Sequence, residues 1–154
     1  MNCTQLEIMT TKNYMIVFSL CGLVFFGCST IRQEKVSFRS ERQKLLSRGF
    51  ELKLPVPFHL QKENYEEGVV YFYSFNDSAY IVVFEGAMME FPMDKYPADK
   101  QEIKDERITS VGRQNNKFWR KDVMGGVRIY YDNVSSKNKN IYDKALDEIK
   151  INPL

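Results

Sequence analysis

Two strongly apolar runs, Val69–Phe75 and Ala79–Phe84, are separated only by Asn76-Asp77-Ser78. Both are rich in β-branched and aromatic residues, which favour a pleated, half-buried strand. Asn-Asp tolerates the positive φ that tight hairpin turns require. The pattern predicts an antiparallel hairpin at the centre of a sheet, and the rest of the chain has to be arranged around it.

Upstream, Phe50-Glu51-Leu52-Lys53-Leu54 alternates apolar and charged residues with period two, the mark of a half-buried strand, and Pro55 and Pro57 end it. Glu34–Arg48 is charged, interrupted by Val36, Phe38, Leu45 and Leu46, and reads as a short helix or ordered linker stopped at Gly49. Its basic residues, Lys35, Arg39, Arg42, Lys44 and Arg48, with Arg32 just upstream, read as a solvated face, with contact to anionic head groups as the alternative.

Downstream, Gly86–Pro97 is irregular and Asp99–Arg107 reads as a charged helical stretch. Ile108–Arg113 and Lys117–Val123 flank Asn115-Asn116, a second hairpin signal. After Gly125-Gly126, Val127, Ile129 and Tyr131 point to one side and Arg128, Tyr130 and Asp132 to the other, as in a sheet with one packed and one polar face. In Ile141–Ile149, Ile141, Ala145 and Ile149 recur every four residues, predicting a helix with Asn140 as N-cap, and Lys150-Ile151-Asn152 supplies a brief terminal strand.

Runs of strands with helices set apart argue for an α+β fold: an antiparallel sheet of about five to six strands with a C-terminal helix packed on it. Phe50-Glu51-Leu52-Lys53-Leu54-Pro55 and the closing segment from Tyr142 to Ile151 resemble the PsbP-like and DcrB-like superfamily of small α/β/α sandwiches. The resemblance covers most of Gly49–Leu154 and implies an accessory domain without an active site.

Twelve mostly apolar residues, Met15–Phe26, follow a lone Lys12 and run into Gly27-Cys28-Ser29. A spanning helix needs about 20 apolar residues, whereas a secretory signal core needs roughly 7–15. Phe25-Phe26-Gly27-Cys28 resembles the lipobox of bacterial prolipoproteins; Gly27 matches the small residue before the Cys, while Phe25 and Phe26 depart from the usual Leu and small residue. The resemblance implies cleavage after Gly27, acylation of Cys28 and attachment to a membrane of the bacterial cell envelope. It divides the chain into a signal at 1–27, a tether with a possible short helix at 28–48 and one domain at 49–154.

Removing 27 residues from 154 leaves 127, enough for one domain with its own core. Cys3 and Cys21 would leave with the signal and Cys28 would carry lipid, so the core has to stabilise the domain without a disulfide. Net charge stays at +2, too even for a nucleic-acid binder, which shows a dominant basic patch.

His59, the single histidine, is placed in a loop between Pro57 and Leu60 and reads as a partly exposed residue. Without a Gly-x-Ser-x-Gly elbow or a free mature Cys, it has no evident nucleophile to activate. Zinc requires clustered His and Cys, which the sequence lacks. Asp94, Asp99, Glu102, Asp105 and Glu106 are interleaved with Lys95, Lys100, Lys104 and Arg107, as on a solvated helix face. No metal or cofactor is expected.

The remaining lead is aromatic and basic: Tyr73, Trp119, Arg120, Arg128 and Tyr130 are the candidate binding residues, since Tyr, Trp and Arg recur where surfaces meet partners. The expected function is a membrane-anchored lipoprotein, held through Cys28, that binds an envelope protein or a small ligand without catalysis. The competing readings are a carboxylate-dependent hydrolase of envelope glycan, identified by two facing carboxyls roughly 5–9.5 Å apart, and a purely structural lipoprotein.

Overall fold

The computed structural model describes residues 36–87 and 90–153. Cys28 and the segment expected to be its signal lie outside the described residues.

The chain enters through two strands, β1 (Phe38–Lys44) and β2 (Arg48–Pro55), and then passes into β3 (Phe58–Tyr65), β4 (Gly68–Phe75) and β5 (Tyr80–Gly86). A short 3-10 turn at Pro92–Lys95 precedes β6 (Lys100–Lys104), β7 (Arg107–Gln114), β8 (Lys117–Met124) and β9 (Val127–Val134). Helix α1 (Lys139–Asp147) and β10 (Lys150–Pro153) close the fold. The α+β class holds, but the described residues contain ten strands in two sheets, not five to six in one.

The larger sheet has the order β3-β4-β5-β9-β8-β7-β6, all pairs antiparallel, and the smaller is β1-β2-β10. The hairpin predicted around Asn76-Asp77-Ser78 is β4–β5, interior to the larger sheet. Asp77 shapes the turn by accepting the Ala79 N–H (3.1 Å) and also takes the Tyr142 hydroxyl from α1 (3.0 Å). The β7–β8 turn places Asn115 at φ 50° and Asn116 at φ 60°, and β8–β9 turns through Gly125 (52°) and Gly126 (86°). Successive positive φ values give the primed turns whose twist matches the flanking strands.

Two expected helices are strands. Phe38–Lys44, inside the charged Glu34–Arg48 stretch, pairs along its length with β2. Lys100–Lys104, inside Asp99–Arg107, is an exposed edge strand joined to β7 through Asp105 (φ 46°) and Glu106 (φ 64°). Both carry charges on an edge, which protects it from pairing with other chains and also hides the period-two signal. His59 likewise lies on edge strand β3, exposed, not in a loop.

Phe50, Leu52 and Leu54 of β2 and Tyr142, Ala145 and Leu146 of α1 pack on Tyr71, Tyr73, Ile81, Val83, Ile129 and Tyr131 of the larger sheet. The small sheet and the helix therefore form one layer over the inner face of the large sheet. The opposite face is not simply polar, as alternation in β9 suggested. Val70, Val82, Phe84, Met93, Trp119 and Tyr130 form a second cluster there, with Phe91 and Tyr96 from the β5–β6 connection packed against it. Asn138, not Asn140, precedes the helix, and its side chain makes no cap: its amide donates to Asp77 (2.7 Å).

Candidate functional site

Alternation along β8 sends its polar side chains to both faces. Asp122 and Arg120 point inward, opposite Ile129 and Tyr131, while Lys121 points outward opposite Tyr130.

The inward set forms a buried ion network. Asp122, wholly buried, accepts from Arg120 Nε (3.1 Å) and from Arg107 Nη2. Arg107 also donates to the Leu146 carbonyl in the last turn of α1 (2.8 Å), where the helix dipole favours a cation. Arg120 continues the chain to Asp147 (2.7 Å) and Asp143 (3.5 Å), and Asp143 accepts the Tyr131 hydroxyl (2.7 Å) and pairs with Lys139. Burial works against the Arg120 charge, but the Asp122 and Asp147 carboxylates outweigh it and hold the guanidinium firmly protonated. The network bolts α1 to β7 and β8. Its carboxylates are committed to partners.

The outward set converges on Asp94 in the 3-10 turn. Its carboxylate accepts from the Phe91 N–H (2.9 Å), Lys121 Nζ (3.1 Å) and Tyr130 OH (3.0 Å), with Arg128 at 3.8 Å. Burial pushes its pKa up, yet the bonds from Phe91, Lys121 and Tyr130 prevail and hold it below the ordinary aspartate value. Beside it, Tyr96 packs edge-on against Trp119 (6.0 Å), and Tyr80 donates to Asp132 (2.8 Å). This is a latch that holds the connection over the sheet.

The five candidate binding residues are thus divided. Trp119, Tyr130 and Arg128 lie on the outer face; Arg120 and Tyr73 lie on the inner one. Trp119, Arg120, Tyr130 and Tyr73 are buried, and only Arg128 is half-exposed, its guanidinium over Phe84 (4.6 Å). The set does not make one partner surface, because the aromatic residues that gave strand signal were spent on two cores. Tyr73 OH and Trp119 Nε1 are buried with no hydrogen-bond partner among the described residues.

Asp94, Asp122, Asp143 and Arg107 carry the polar architecture, and their sequence positions alone do not mark them as a set. A usable signal was present: Phe118, Arg120, Asp122 and Met124 share one phase of β8, so charges at its middle had to be paired inside. Asp94 belongs to a turn, not to a charged helix face. Among the described residues no group of His, Cys, Asp and Glu is arranged to hold a metal ion.

Concave surface occurs instead on the layer of the small sheet and helix. Two shallow grooves adjoin there, sharing Lys53 and Glu148. One, of about 160 Å³, is lined by Phe38, Lys53, Lys144, Ala145 and Glu148; the other, of about 330 Å³, runs past Glu51, Asp147 and Lys150. Lys53 and Glu148 bridge at 3.2 Å. Open, charged grooves of this kind suit head groups or polypeptide better than an enclosed apolar ligand. No family model matches the chain, and neither a curated protein nor a solved structure matches it.

Proposed function

We propose that the protein is a bacterial envelope lipoprotein, anchored through acylated Cys28, whose α+β domain is a non-catalytic binding or accessory module. The observation that carries this reading is the run Met15–Phe26 ending in Gly27-Cys28. It is supported by the sequence distance to the domain: Val36, the first described residue, is eight residues beyond Cys28. Eight residues span at most about 29 Å fully extended, so an acylated Cys28 would keep the domain against the bilayer. The commitment of Asp94, Asp122 and Asp143 to ion pairs supports a binding module over a carboxylate-dependent hydrolase. Kinship with the PsbP-like and DcrB-like superfamily belongs to the same proposal. It is supported by the meeting of the two resembling segments, since β2 pairs with β10.

Intact-mass analysis of membrane-extracted protein beside a Cys28→Ser variant tests the anchor. A diacyl or triacyl mass on an N-terminal Cys28, lost in the variant, is expected. An unlipidated mass beginning at another residue overturns the reading.

A further inference from the structure

The β1–β2 register sorts the basic residues of the N-terminal strand. Arg39 turns inward over the Phe58 ring (4.4 Å), and the Arg48 guanidinium sits against Gly125. Phe38, Ser40, Arg42 and Lys44 share the opposite, outer face with Lys53 and Glu51 of β2 and Lys150 of β10. Lys144 and Glu148 of α1 border the same face through the groove at Phe38 and Lys53. Five cations, Arg42, Lys44, Lys53, Lys144 and Lys150, thus stand against Glu51, Glu148 and the rim residue Asp147.

The apolar exposure falls in the same place. Of the large hydrophobic residues exposed among those described, Val36 (38%), Phe38 (42%) and Leu46 (53%) lie on β1 or directly beside it. Phe38 and Leu46 stand at opposite ends of the strand, so exposed apolar side chains bracket a net-basic sheet face. Among the described residues β1 is the first strand, and it begins ten residues after Cys28 in the sequence.

We infer that the outer face of the small sheet is a seat for the anionic head groups of a lipid bilayer, with Phe38 and Leu46 entering the interface. Lipid is favoured by the sign of the face and by the short reach from Cys28: an acyl chain there delivers the domain to a surface whose phosphates complement Arg42, Lys44, Lys53, Lys144 and Lys150. The acyl chain holds the protein at the membrane, and the basic face then fixes which side of the domain lies on it. This inference rests on the lipoprotein reading.

The test uses the full lipidated chain in phosphatidylcholine vesicles with and without phosphatidylglycerol. Single thiols are introduced by Ser40→Cys on the face and by Gln61→Cys on the exposed outer side of β3 and labelled with a fluorophore. On anionic vesicles, quenching of the Ser40→Cys label by an aqueous quencher is expected to slow roughly threefold or more, and to recover in high salt, where surface charges are screened. The Gln61→Cys label stays open throughout. Adding Lys44→Glu and Lys150→Glu is expected to abolish the shielding while the protein still floats with neutral vesicles. Flotation without shielding overturns the lipid seat alone. Failure to float on neutral vesicles overturns the anchor and the seat with it. Shielding that needs added envelope proteins and is absent on protein-free anionic vesicles overturns the lipid assignment in favour of a protein partner.

Discussion

Arg107 holds two elements at once: one guanidinium nitrogen, Nη2, serves both the buried Asp122 carboxylate and the Leu146 carbonyl, 2.8 Å away at the end of α1. Asp122 is therefore the point on which sheet and helix are jointly secured. Removing one partner of a buried ion pair leaves an uncompensated charge, at a cost of about 3–5 kcal/mol. Asp122→Asn is expected to lose about 3 kcal/mol in urea denaturation. Asp147→Asn, whose side chain is 61% exposed, is expected to lose about 1 kcal/mol or less.

Asp94 gives the outer latch an acid limit. Its folded pKa lies below the unfolded value of 3.8, so its contribution is present above the unfolded pKa and is lost as pH falls through the folded one. Below about pH 4 the hold on the 3-10 turn weakens. Asp94→Asn is expected to be less stable than wild type near neutrality and to show a flatter stability curve between about pH 5 and pH 2, measured by urea midpoints at each pH.

Trp119 is the single tryptophan, and it faces Gly112 across the β7–β8 pair. A Cβ at position 112 would stand 2.7 Å from the indole ring, deep in a packed cluster. Gly112→Ala is expected to cost about 1–3 kcal/mol through overpacking. Intrinsic fluorescence reports it directly: a shift of the emission toward that of a solvated indole is expected at a lower urea concentration than in wild type.

The tyrosines set the alkaline limit. Burial raises the pKa of Tyr73; burial, then the bond to Asp143, raises that of Tyr131; burial, then the bond to Asp77, raises that of Tyr142. The unfolded chain releases these protons near pH 10 while the folded one keeps them, so stability falls as pH rises above that value. Phenolate absorbance is expected to appear together with loss of circular dichroism, not before it.

The turns were the most legible part of the fold. Asn76-Asp77, Asn115-Asn116 and Gly125-Gly126 each lie in the hairpin connection their neighbours implied; Asn115, Asn116, Gly125 and Gly126 themselves take the positive φ that few residues tolerate, whereas in the first turn it falls on Ser78 (67°). Edge strands were illegible for the opposite reason. In β6 all of Lys100–Lys104 is exposed, Ile103 to 72%, so no buried face imposes an apolar alternation. In β1 the alternation exists, but both phases carry charge, since Arg39 and Glu41 turn inward to pair with each other. Binding candidates failed on a related point. Tyr130 shares its phase of β9 with Arg128 and Asp132, and it is buried because Phe91 of the returning segment packs on it beside the outer cluster of Val70, Val82, Phe84 and Trp119.

The small sheet carries a kinetic consequence. β2 is flanked by β1, made just before it, and by β10, made about a hundred residues later. Its hydrogen-bonding edge at Arg48–Glu51 stays open until Lys150–Pro153 has been delivered. Contacts of such long sequence separation form slowly, because the loop between them must close first. Synthesis thus supplies β10, the strand that closes the free edge of β2, only after every other described strand and the helix have been made.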